Sequence, residues 1–157
     1  MPLSPNNMYA HVLRHDFHAF IHRSFLELHP KTPFIPNWHH EVLSAKLEEV
    51  RAGRCKRLIV NMPPRLLKSH AITVAFPAWL HAHDPFKEIL TVTYAQDFSD
   101  NLARQSRTLM TCPFYEALFE TRILKGREAV SDFETTAGGF RLSTSVSGVQ
   151  QAGAPTS

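Results

Sequence analysis

The chain has 157 residues, 43% of them hydrophobic and 20% charged, a mix that fits one soluble domain able to bury roughly two thirds of its unfolded surface and does not fit a disordered or fibrous chain. No stretch approaches the roughly 18 apolar residues of a membrane span, and MPLSPNNMYAHVLRHDF has neither the basic cap nor the apolar run of a signal peptide, so no membrane contact and a cytoplasmic location are expected. A formal charge of +3 permits contact with a polyanion without demanding it, and Cys55 and Cys112, lacking any metal-ligand spacing, read as reduced bystanders.

In chain order, Asn6 and Asn7 are placed to cap a helix from about Met8 to Leu28, in which Phe17, Phe20, Ile21, Phe25 and Leu28 recur at helical spacing. His29-Pro30 ends it, and the connector HPKTPFIP leads to Asn37, an N-cap residue ahead of a helix from Trp38 to about Arg51 that Gly53 stops. After the basic step Arg54, Lys56 and Arg57, the run Leu58-Ile59-Val60 is short, β-branched and unalternating, and predicts a buried parallel strand ending at Met62. Past the turn Pro63-Pro64-Arg65-Leu66-Leu67, helical spacing resumes from Lys68 to about His81, with Ile72, Ala75, Phe76 and Trp79 as the buried stripe and Pro77 as a source of kinking.

A second strand is predicted over Glu88 to Tyr94 and a helix over Gln96 to Met110, closed by Pro113. Strand, helix, strand, helix implies an α/β fold with a parallel sheet. Asp132 to Thr136 and Phe140 to Thr144 flank Ala137-Gly138-Gly139, a hairpin signal, and SGVQQAGAPTS reads as a loose tail.

The segment LIVNMPPRLLKS has the layout of a phosphate-binding loop: a strand, a tight turn, and Lys68-Ser69 opening a helix. A triphosphate needs backbone N–H donors at a helix mouth, an ammonium and a hydroxyl for magnesium, and Lys68 and Ser69 supply the last two. The usual pattern has glycine where Met62 and Leu67 stand, so Leu67 must either avoid positive φ or incur strain. Pro63 and Pro64 carry no N–H, which leaves the amides of Arg65, Leu66, Leu67, Lys68 and Ser69 to form any cradle. The competing reading is a plain strand-to-helix turn with an exposed lysine. Arg65 either faces solvent or neutralises charge on a phosphoryl group.

Three segments, PFIPNWHHEVLSAKLEEVRAGRCKRLIVNMPPRLLKSHAITVAFPAWL, HDPFKEILTVTYAQDFSDNLARQSRTLM and FETTAGGFRLSTSVSG, resemble in order and spacing the N-terminal ATPase domain of phage terminase large subunits. That family writes its loop Pro-Pro-Arg, two variable positions, then Lys-Ser. The resemblance implies an incomplete P-loop NTPase of the RecA-like (ASCE) type, with a parallel sheet, flanking helices and an N-terminal helical extension. Residues 1–36 would be the helix and connector, 37–148 the partial ATPase domain and 149–157 a disordered tail. ATP and Mg2+ would be the cofactors: Pro64, Arg65, Leu66, Leu67, Lys68 and Ser69 at the phosphates, Ser69 on the magnesium, Arg65 as the loop arginine sensing the γ-phosphate. Trp38 and His39 resemble the family's adenine-side motif, although Trp38 also fits a core residue beside an N-cap.

The family's partners would be phage double-stranded DNA, the terminase small subunit and the portal, in the host cytoplasm. Hydrolysis would need a carboxylate-bearing strand beyond the hairpin, yet no residue after Glu134 is acidic. The resemblance therefore implies an N-terminal fragment that binds ATP without turnover, its tail departing from the family as after a frameshift or early stop. It also implies a gap in the sheet, because the family separates the loop's strand from the second strand by later ones. The alternative is a non-enzymatic module that binds DNA or a terminase partner without nucleotide dependence, using Arg54, Lys56 and Arg57 or Arg104 and Arg107. His11, His15, His18 and His22 share a face of the predicted first helix and offer a minor metal hypothesis; His39-His40 and His81/His83 read as incidental.

Overall fold

The computed structural model describes residues 5–128 and 132–146; the expected loose tail at 149–157 lies outside them. Its helices are α1 (Pro5–His15), α2 (Phe17–Leu28), α3 (Trp38–Arg51), α4 (Phe76–His83), α5 (Gln96–Met110) and α6 (Pro113–Leu118), and its strands β1 (Glu88–Thr93), β2 (Ile123–Glu128), β3 (Asp132–Thr135) and β4 (Phe140–Ser145). Among the described residues no helix is long and apolar enough to cross a membrane.

The predicted first helix is two. Asp16 adopts an extended backbone and its Oδ1 accepts from the Ala19 amide at 3.1 Å, so a capping residue inside the periodic run starts a new helix. Asn6 and Asn7 lie within α1 instead of capping it. The apolar spacing nevertheless identifies the buried face: Phe17, Phe20, Ile21 and Phe25 are all buried. Phe20 lies among Trp79, Phe114, Tyr115 and Phe119, with ring centroids 5.1 to 6.4 Å away.

The sheet is mixed, with order β1-β4-β3-β2. β1 and β4 run parallel, Glu88 opposite Phe140 through Thr93 opposite Ser145, while β3 is antiparallel to both β2 and β4. The all-parallel expectation fails because the Gly138-Gly139 hairpin folds β4 back beside β1. Gly138 takes φ +96, and a Cβ at Gly139 would collide with the Pro85 and Lys87 carbonyls. Ser99 Oγ donates to the Thr144 carbonyl and Gln96 accepts from the Ser145 amide, both at 3.2 Å, which ties α5 onto β4.

The largest departure concerns Leu58 to Met62. This run is extended but belongs to no sheet, and among the described residues no backbone hydrogen bond is recorded for residues 58–61. Leu58, Val60 and Met62 pack half-buried on the core while Ile59 is 92% exposed, so burial alternates where an all-buried strand was expected. Apolar sequence supplied a strand's conformation, but a sheet needs a partner, and β1, the nearest candidate by sequence, pairs with β4 instead.

Helical backbone begins at Lys68, as predicted, and continues to His83, with a π-helical stretch at His70–Ala75. Pro77 explains the π turn. Its ring would press on the carbonyl of Thr73 in a regular helix and it has no N–H to donate there. The Thr73 carbonyl instead accepts from Arg141 Nη2 at 2.8 Å. Arg141, on β4, is completely buried, and burial pulls its guanidinium down to about 10, leaving it cationic at neutral pH.

Candidate phosphate-binding site

The loop's backbone is its most informative feature. Arg65 has φ +65 and Leu67 has φ +59, both in the left-handed region, and they are the two non-glycine residues there among those described. That conformation costs an ordinary L-residue roughly 1–2 kcal/mol. Leu67 thus takes the strained option at the position where the usual phosphate loop has glycine. Its carbonyl accepts from the Ala71 amide at 2.9 Å, making it the entry to the helix. Among the described residues the amides of Leu67, Lys68 and Ser69 have no backbone acceptor. Successive free amides after left-handed residues form a concave, electropositive nest of the type that receives anions.

Lys68 Nζ folds across the loop and donates to the Met62 carbonyl at 3.3 Å. Arg65 is exposed, and among the described residues neither cation has a salt bridge. A concavity of about 370 Å³ is lined by Pro63, Pro64, Arg65, Leu67, Lys68, Ser69 and His70. No carboxylate lines it.

A second cavity, of about 300 Å³, lies on the other side of the loop, where Arg65, Leu66 and Leu67 meet Asn37, His39 and His40 of the connector and α3. The fold therefore brings His39 to the loop but sends Trp38 elsewhere. Trp38 is 72% exposed, which removes the core reading, and it faces a third cavity lined by Val42 and the run Leu58 to Met62.

No family model, curated protein or solved structure matches this chain.

Two buried histidines beside the loop carry no motif in the sequence. His70 follows Ser69 directly, is buried, and meets Ser24 Oγ through Nε2 at 3.0 Å. Since Ser24 Oγ donates to the Ile21 carbonyl at 2.9 Å, Nε2 must hold the proton and donate. Burial, aided by His29, lowers its pKa to about 4. His40 has neither ring nitrogen hydrogen-bonded among the described residues; burial, then the neighbouring His39, lowers its pKa as well. The predicted histidine face is divided at Asp16, with His11 stacked on His15 in α1 and His22 stacked on Phe34 from α2. Among the described residues no group of three or more His, Cys, Asp or Glu is placed to hold a metal.

The strain at Leu67 has a measurable consequence. Leu66 and Leu67 are both half-buried, but only Leu67 is left-handed. Leu66→Gly should cost about 2 kcal/mol, from lost apolar contact and added unfolded-state entropy. Leu67→Gly recovers roughly 1–2 kcal/mol of that through relief of strain, and should be neutral to within about 1 kcal/mol. Urea unfolding of the pair checks this; equal losses would mean that Leu67 is unstrained.

Proposed function

We propose that the loop from Pro63 to Ser69 binds the phosphate tail of a nucleoside triphosphate, and that the chain is the ATP-binding N-terminal portion of a phage terminase-like packaging motor. One observation carries the nucleotide reading: Leu67 is held left-handed, so that its own amide and those of Lys68 and Ser69 stand free at the mouth of a helix. Strain of this kind persists where the surrounding structure imposes it, and it clusters at ligand sites.

In this reading the three amides and Lys68 hold the outer phosphates. Arg65, at the rim, neutralises the γ-phosphate's charge. Ser69 Oγ contacts a magnesium ion otherwise held by nucleotide oxygens, because no carboxylate lines the concavity. The nucleobase is assigned to the side of Asn37 and His39. No residue is assigned to activate water, so the activity is binding without turnover. The terminase assignment rests on the three sequence segments; the unpaired run 58–62 lends it no support. Phage double-stranded DNA, the small subunit, the portal and the host cytoplasm belong to this proposal as the setting of that motor.

Magnesium-ATP at about 100 times its dissociation constant should stabilise the fold by roughly 2.7 kcal/mol, raising Tm by about 5–10 °C. Lys68→Ala, at a half-buried site away from the core, should keep the apo Tm and lose the shift. An unchanged Tm at millimolar ATP, or an equal shift in the variant, would remove the reading.

A further inference from the structure

We propose that the extended run from Leu58 to Asn61 is a docking edge for an acidic, extended segment of a partner protein, which adds to it as a β-strand. The run already has strand-like alternation, with Leu58 and Val60 turned to the core and Ile59 and Asn61 turned out, but its peptide groups have no hydrogen-bond partner among the described residues. Peptide groups in this state are satisfied by water or by a strand, and only a strand also withdraws Ile59 from solvent.

The neighbouring surface specifies the partner's side chains. Beside the run lies an apolar cavity of about 270 Å³, walled by Trp38, Val42 and Leu43 of α3 and by Leu58, Val60 and Met62. Every second side chain of an added strand can enter it.

Charge specifies the rest. Arg51, Arg54, Lys56 and Arg57 are all exposed, no acidic residue lies between positions 50 and 62, and among the described residues none of the four has a salt bridge. Glutamates or aspartates at the end of the added segment that passes Arg54 to Arg57 complete the pairing. The chain's own last residues, SGVQQAGAPTS, contain no acid, so the complementary segment comes from another protein. A nucleic acid would answer the basic cluster but leaves the carbonyls of the run unpaired and the apolar cavity unfilled, and the peptide is favoured for that reason. The inference needs no nucleotide and survives if the loop binds none.

The test is fluorescence anisotropy on the wild-type chain, with a fluorescein-labelled peptide in which two glutamates precede alternating valine and threonine. Saturable binding is expected. The same peptide N-methylated at alternate backbone nitrogens should bind about fivefold or more weakly, since it cannot donate to the run. Arg54→Glu combined with Arg57→Glu should weaken the parent peptide at least as much, with an unchanged urea midpoint as the folding control. Ile59→Pro, which deletes one N–H where the side chain contributes no core contact, should weaken it too. No binding, equal binding of the N-methylated peptide, or displacement by oligo-dT at matched charge would each overturn the proposal, the last two by showing a charge-only polyanion surface.

Discussion

Lowering the pH from above 6.5 to about 4 should cost the fold about 3 kcal/mol through His70 alone. The group is held neutral in the folded state, with its pKa lowered from 6.5 to about 4 by burial, while in the unfolded chain it titrates normally. Between those values the unfolded chain binds the extra proton, so stability is fully present above the unfolded pKa and is lost as the pH falls towards the folded one. Nothing near His70 rewards a second proton: Nε2 already donates to Ser24, Nδ1 has no hydrogen-bond partner among the described residues, and the nearby His29 opposes charging. His40 and His81 are shifted in the same direction and steepen the same window.

Urea unfolding at pH 7 and pH 4 separates this from carboxylate titration when His70→Gln is measured alongside. The amide keeps a donor for Ser24 but cannot charge. The wild type should lose about 3 kcal/mol more than the variant over that interval, and parallel losses would show that His70 is not held neutral.

Phe20→Ala should remove about 3–5 kcal/mol, equivalent to a fall in Tm of about 10–15 °C. Phe20 is fully buried where α2 meets α4 and α6, and its ring neighbours Trp79, Tyr115 and Phe119 are themselves buried. Such a site cannot collapse without moving several large rings, which places the cost toward the upper part of the range. A loss below about 1 kcal/mol by calorimetry would mean that α2 docks loosely and is dispensable to the core.

The amphipathic helices were legible because their signals are local. Asn37 to Gly53 and Gln96 to Pro113 each carry an apolar period and a stop, and α3 and α5 match them. The sequence also placed Lys68-Ser69 at a helix entrance, since Pro63-Pro64 must interrupt the chain before it.

What stayed hidden depends on partners distant in sequence. Pro77 foretold a disturbed helix, but its resolution as a π turn needed Arg141, contributed by the hairpin. Leu58 to Met62 has a strand's composition, and composition does not reveal whether another strand will lie beside it. Leu67 was recognised as standing in a glycine's place; that it would accept the strain could not be read from its identity. His70 and His40 gave no signal at all, because a histidine's burial and tautomer follow from its neighbours, here Ser24 and the loop.

The nucleotide reading is tested most directly by amide chemical shifts of the nitrogen-15-labelled chain during titration with magnesium-ATP. The largest, saturable changes should fall on Leu67, Lys68 and Ser69, with smaller ones on Arg65 and on Asn37 and His39. Silent amides at 67 to 69 during the titration, or shifts concentrated on another part of the fold, would contradict it.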